Sequence, residues 1–94
     1  MPMIRTFRDK DTEKIVQRQF SRRFQAIAHV AKRKLEHLNA ATSLQDLAAI
    51  PGNQLEALKR DRAGQHSIRI NDQFRICFLW NDGDAYGVEI TDYH

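Results

Sequence analysis

The stretch Phe74-Arg75-Ile76-Cys77-Phe78-Leu79-Trp80 decides the fold, because its larger apolar residues recur at every second position. A strand sends successive side chains to opposite faces, so Phe74, Ile76, Phe78 and Trp80 share one face while Arg75, Cys77 and Leu79 take the other. Downstream, Asn81-Asp82-Gly83-Asp84 carries turn chemistry and leads into 85–91, where Tyr86, Val88 and Ile90 alternate with Gly87, Glu89 and Thr91. Upstream, Ile68 and Ile70 alternate with Ser67 and Arg69 over 66–70, and Asn71-Asp72-Gln73 supplies the turn between the two runs. Two consecutive hairpins predict an antiparallel meander.

Before residue 52 the period is helical. Phe24, Ile27, Ala28, Ala31, Leu35 and Leu38 recur at steps of three and four, with Lys32, Arg33, Lys34, Glu36 and His37 between them, which predicts an amphipathic helix over 23–38. A shorter helix over 12–19 is predicted with Asp11 or Thr12 as its cap. Thr42-Ser43 followed by Gln45-Asp46 forms a capping-box-like start for a third helix through Leu44, Leu47 and Ala48, which Pro51-Gly52 ends. Ile4–Phe7 is a short β-like opening. The helices need an apolar surface to cover, and the Phe74, Ile76, Phe78 and Trp80 face supplies it. The expected architecture is α+β, with N-terminal helices packed on one face of a small, mainly antiparallel C-terminal β-sheet, in one domain over 1–94.

Ninety-four residues suffice for one modest core. The apolar share of 41% and charged share of 29% match globular usage and exclude a disordered or fibrous chain. No run of about 18 apolar residues exists, and Met1-Pro2-Met3-Ile4-Arg5 lacks a signal-like apolar stretch, so neither membrane insertion nor export is expected. A single cysteine, Cys77, cannot form an internal disulfide and reads as a small buried hydrophobe, which suits a reducing cytoplasm. The net charge of +3 is unevenly placed: residues 1–40 hold ten Lys/Arg against four Asp/Glu, and residues 41–94 hold five against eight. Such a basic half attracts polyanions, though it also suits solvated helix faces or an acidic partner.

The face opposite the helices carries Arg69 and Arg75, with Lys59, Arg60 and Arg62 on the segment leading into the sheet. Cations on a rigid surface suit phosphodiester cleavage, which develops negative charge on phosphate oxygens. Arg75 can hold two of those oxygens with one planar fork, or pair with Asp72, Glu89 or Asp92 across neighbouring strands. Attack by a ribose 2′-OH also needs a proton acceptor and a donor for the leaving 5′-oxygen. His94 titrates near neutrality and suits either task, unless it is a plain exposed terminal residue. Tyr93 can stack on a base, bond a phosphate or pack, and Asp92 can orient His94 or cap the sheet edge. Lys59 can neutralise charge or exchange a proton, and Glu56 can act as a base or be a solvated carboxylate. His29 and His37 fall on the polar side of a basic helix, and the ring of His66 is expected to pack. No HxxxH or CxxC spacing suggests a metal, and no GxGxxG or GxxxxGK[ST] suggests a nucleotide cofactor.

Taken together, Arg5-Thr6-Phe7, Leu55-Glu56-Ala57-Leu58-Lys59, Gly64-Gln65-His66-Ser67-Ile68-Arg69-Ile70-Asn71, Phe74-Arg75-Ile76-Cys77-Phe78 and Asp92-Tyr93-His94 resemble the HigB toxins of the RelE/ParE superfamily, also termed plasmid maintenance killer proteins. The resemblance spans essentially the whole chain. It implies a RelE-like fold and a toxin of a type II toxin–antitoxin system, a metal-independent endoribonuclease that cuts mRNA on the ribosome. It also implies neutralisation by a HigA-type helix-turn-helix antitoxin, with a monomeric toxin entering a hetero-oligomer. Carried over by position, the family's lysine corresponds to Lys59, its sheet arginine to Arg75, and its terminal residues to Asp92, Tyr93 and His94. Where some HigB members carry a histidine three residues before the lysine, this chain carries Glu56, which leaves the general base open. Two other readings stand beside this one: a ParE-like inhibitor of DNA gyrase without catalysis, and a basic nucleic-acid-binding module using the 23–38 helix.

Overall fold

A computed structural model describes residues 4–92 of the chain. The alternation over 74–80 becomes a long strand, and the neighbouring runs pair with it as the turn chemistry requires. In chain order the elements are α1 (Lys10–Val16), α2 (Ala28–Ala40), α3 (Leu44–Ala48), β1 (Glu56–Ala57), a 3-10 turn (Arg60–Arg62), β2 (Gln65–Arg69), β3 (Phe74–Asn81) and β4 (Asp84–Asp92). The four strands form one antiparallel sheet in the order β1-β2-β3-β4. Asp82 and Gly83 both take positive φ, 50° and 81°, the two-residue turn whose twist matches flanking strands.

One row of the sheet shows why the helices sit where they do. Ile68, Ile76 and Ile90 stand opposite one another on β2, β3 and β4, and all three are buried. Against them pack Ile15 of α1, Ala31, Leu35 and Leu38 of α2, Leu47 of α3, and Phe24. Phe24 meets Phe74 edge to face at 5.9 Å. Residues 4–8 run parallel to β4, with Arg5 N–H donating to Ala85 O (2.8 Å), Val88 N–H to Thr6 O (3.1 Å) and Arg8 N–H to Val88 O (3.0 Å). The β-like opening thus extends the sheet's β4 edge.

Several boundaries differ from expectation. The first helix starts earlier, capped by Asp9, whose carboxylate accepts from Thr12 N–H at 3.3 Å. It stops at Val16, because Arg18 adopts φ 61° and Gln19 N–H bonds back to Lys14 O at 2.8 Å. The second helix begins only at Ala28, after turns over 22–27, and no side chain caps its first turn. Lys34, read as a polar-face residue, instead turns inward and donates to Asn53 Oδ1 at 2.6 Å. Burial, with Arg33 and Arg69 nearby, lowers its pKa. On β4 the register shifts by one residue between the pairs Cys77–Glu89 and Leu79–Tyr86. This bulge lies beside Gly87 (φ 59°) and reverses the alternation, so Ala85, not Tyr86, joins Val88 and Ile90 in the core.

Candidate functional site

Across the sheet, away from the helices, the register aligns Glu56 with Ser67, Ser67 with Cys77 and Cys77 with Glu89. Opposed residues share a face, so these four side chains form one row over all four strands. The adjacent row aligns Arg69, Arg75 and Thr91, as the alternation led one to expect. Like charges placed directly opposite repel unless each finds a partner. Arg69 turns to the carboxylate of Asp72 in the β2–β3 turn. Arg75 turns the other way: its guanidinium donates to Ser67 Oγ at 3.0 Å and to the Gln54 carbonyl at 3.5 Å, and lies 4.0 Å from Glu56 Oε2. The Arg75 side chain is only 13% exposed, whereas that of Glu56 is half open to solvent. Of the partners considered for Arg75 from sequence, Asp72 and Glu89 are instead held by other arginines.

Between β1 and β2 the chain folds back over this face. Leu58 is buried and donates from its N–H to Gln65 O at 2.9 Å, which roots the loop. Lys59 then precedes the 3-10 turn, and Arg60 takes a positive φ of 58°. From that turn Arg62 reaches across β3, donating to Glu89 Oε1 on β4 at 2.7 Å and to Gln65 Oε1 at 3.1 Å. Arg8 Nε approaches the other Glu89 oxygen at 3.7 Å. Glu56, Ala57, Leu58, Lys59, Arg60 and Arg62 line a cleft of about 420 Å³, with Lys59 and Arg60 exposed at its wall. Beneath lie Ser67 and Cys77, both fully buried. Burial pushes the Cys77 thiol pKa up, against the opposing pull of a hydrogen bond with Thr91 and the charges of Arg62 and Arg75.

The structure therefore brings Glu56, Lys59, Arg60, Arg62 and Arg75 together on one face, with Arg69 alongside but turned to Asp72. It does not bring Asp92 to them. Asp92 stands opposite Phe74, in the row that faces the helices, and its carboxylate accepts from the Gln73 side chain at 3.0 Å. Tyr93 and His94 lie outside the described residues. Sequence reading missed Ser67 and Glu89 as site residues. Their signal was present, since both alternate onto the face that carries Arg75. Among the histidines, His66 stacks on Phe78 with ring centroids 6.3 Å apart, as expected of a packing ring. His29 is exposed on α2, and His37 is half-buried with its pKa lowered by burial and by Lys34 and Arg33. Among the described residues no three metal-ligating side chains gather, and no helix is long and apolar enough to cross a membrane.

Such a face can hold a phosphodiester. Planar or flexible cations border the cleft, and one carboxylate within reach of the buried arginine is able to accept a proton.

Comparison with solved structures places the same architecture in a chain of the YoeB–YefM complex from Staphylococcus aureus. The match has a TM-score of 0.60 and 21% identity, and covers 100% of this chain and 98% of the other, a RelE-like fold. Two curated relatives are Toxin HigB-1 of Vibrio cholerae, 45% identical over 60 residues, and Endoribonuclease HigB of Proteus vulgaris, 36% identical over 61 residues. The matched segments cover 64% and 65% of this chain, and 63% and 65% of the relatives, so the chain spans less than two thirds of either. A family model described as the RelE-like toxin of type II toxin–antitoxin system HigB matches residues 3–94, and the chain belongs to that HigB-like toxin family.

Proposed function

We propose that this protein is the toxin of a type II toxin–antitoxin pair, a metal-independent endoribonuclease that cuts mRNA on the ribosome, acting in the cytoplasm. The observation that carries the reading is the Arg75 guanidinium set against Glu56, the carboxylate that also lines the Lys59–Arg62 cleft. In this reading the scissile phosphate sits over Arg75 and Lys59. The ribose 2′-oxygen attacks phosphorus as its proton leaves, the bond to the 5′-oxygen breaks, and that oxygen takes up a proton. Glu56 and His94 share the two proton transfers, with Tyr93 beside the same phosphate, whereas Asp92, set opposite Phe74 with its carboxylate on Gln73, takes no part in them. Arg75 and Lys59 offset the charge that grows on the phosphate oxygens, a type of contribution whose loss costs about 10²–10³ in rate. Arg60, Arg62 and Arg69 contact neighbouring phosphates.

Placing the strand correctly accounts for much of such a reaction's speed, and a ribosome that holds the mRNA supplies that placement. The names of the relatives and the toxin–antitoxin family support this reading, as does the toxin–antitoxin complex among similar structures. A HigA-type helix-turn-helix antitoxin is the partner we assign, binding a monomeric toxin to give a hetero-oligomer.

Transcript 5′ ends mapped after expression in bacteria test the proposal. Wild type is expected to create new ends inside coding regions. Arg75→Ala and His94→Ala are expected to lose them by about 10² or more, with Arg75→Lys intermediate because it keeps the charge but not the fork. Intact mRNA together with damaged DNA in the wild-type culture would overturn the assignment in favour of gyrase inhibition. Equal cutting of naked and ribosome-bound mRNA would remove the ribosome from it.

A further inference from the structure

Glu89 lies outside the cleft, yet it is the β4 residue to which the cleft's outer wall is tied. Its side chain is 17% exposed, and its Oε1 accepts the 2.7 Å hydrogen bond from Arg62, the end residue of the Arg60–Arg62 turn. Arg62 lies three residues before β2, so to reach β4 it must cross β3, roughly 10 Å at two strand spacings. The rest of the loop holds itself together chiefly through local bonds: Arg62 N–H to Lys59 O at 3.2 Å and Ala63 N–H to Arg60 O at 3.0 Å. It is flanked by two left-handed positions, Arg60 at φ 58° and Gly64 at φ 93°. A short charge-assisted bond in a partly shielded place is stronger and less screened than a surface ion pair.

We infer that Glu89 is a positioning residue: by holding Arg62 across the sheet it fixes the loop that presents Lys59 and Arg60 to the cleft, an inference that rests on the RNA-cleavage reading. Glu89 itself faces Arg62 and Arg8 and does not line the cleft. Its loss removes no substrate contact. It frees the loop, and a displacement of about 1 Å at a reacting centre can cost on the order of 10² in rate.

The test uses the full chain, with wild type, Arg75→Ala, Glu89→Gln, Glu89→Asp, Arg62→Ala and the Arg62→Ala/Glu89→Gln double variant, all on ribosome-bound mRNA. Glu89→Gln is expected to lower kcat about ten-fold or more with KM within about two-fold, because alignment is lost and ground-state contact is not. Glu89→Asp keeps the charge and recovers part of that loss. Arg62→Ala falls at least as far, and adding Glu89→Gln to it changes kcat by less than about two-fold, since the guanidinium that ties the loop is already gone and the 3.7 Å contact with Arg8 holds no part of that loop. Wild-type kcat in Glu89→Gln, additive losses in the double variant, or a loss that merely tracks a lower melting temperature overturns the inference. Should Glu89→Gln not fold, Glu89→Asp alone replaces it: a several-fold lower kcat with KM within about two-fold supports the tie, and wild-type kcat overturns it. The two readings fail differently. If wild type cuts and Arg75→Ala does not, an intact Glu89→Gln sinks only the role of Glu89, whereas a wild type that cuts no RNA sinks both.

Discussion

Arg75 and Cys77 are neighbours on one strand face that are both withdrawn from solvent, with opposite consequences. The arginine is held by Ser67, the Gln54 carbonyl and Glu56, so its charge is fixed in direction. The thiol beneath is fully buried, and burial raises its pKa, so at neutral pH it stays protonated and shielded. Iodoacetamide at pH 7 is therefore expected to label Cys77 at least about a hundred-fold more slowly in the native protein than in urea. Equal labelling rates would contradict the burial. The pH dependence has a definite sign. A group whose folded pKa is raised contributes stability below its unfolded pKa, and that contribution fades as pH climbs through the folded value. In urea melts from pH 8 to 11, Cys77→Ala should lose less stability than wild type over the alkaline end. That the arginines at 69 and 75 would lie side by side was legible from alternation alone. That they would diverge, one to Asp72 and the other to Glu56, was not, because β1 sets the second contact by pairing with a strand eight residues further on.

At the scale of elements, the strands were legible and the ends of the helices were not. Period-two runs name their own faces, and Asp82-Gly83 names its own turn. β1 escaped notice because Glu56-Ala57 is too short and too polar to show a period. The phase reversal in β4 had one visible cue, Gly87, which takes the positive φ that the bulge requires. The start of α2 was misjudged since the apolar spacing runs on through Phe24 and Ile27, and both pack against the core from turns, not from a helix. The end of α1 offers a test. Arg18 sits at φ 61° in the place where helices favour glycine, closing the helix by bonds from Arg18 N–H to Ile15 O and from Gln19 N–H to Lys14 O. Arg18→Gly relieves that strain against a modest gain in unfolded-state freedom, so it should stabilise by about 0.5–1 kcal/mol. The corresponding rise in melting temperature is about 3–6 °C, and a fall would contradict the left-handed cap.

For the molecule as a whole, Phe78 is the ring on which the layers meet. It is fully buried, with His66 and Trp80 each 6.3 Å away between ring centroids. Phe78→Ala should cost about 3–5 kcal/mol by urea denaturation, and a cost under about 1 kcal/mol would mean the ring is not core. The layered architecture was readable from the change of period near residue 52. The pairing of residues 4–8 with β4 was not, because nothing local marks a contact with Thr6 at one partner and Gly87 and Val88 at the other, some 81 positions apart. That pairing orders events during synthesis. At about 5–20 residues per second the arm carrying Ile4 and Phe7 emerges roughly 4–16 s before the strand it lies against. Its apolar side chains stay unsheltered for that interval, and the sheet's β4 border closes only once β4 itself has been made. A nascent copy cut short before Ala85 thus lacks the seam between residues 4–8 and β4, so the completed tertiary structure is available only to chains translated past Val88.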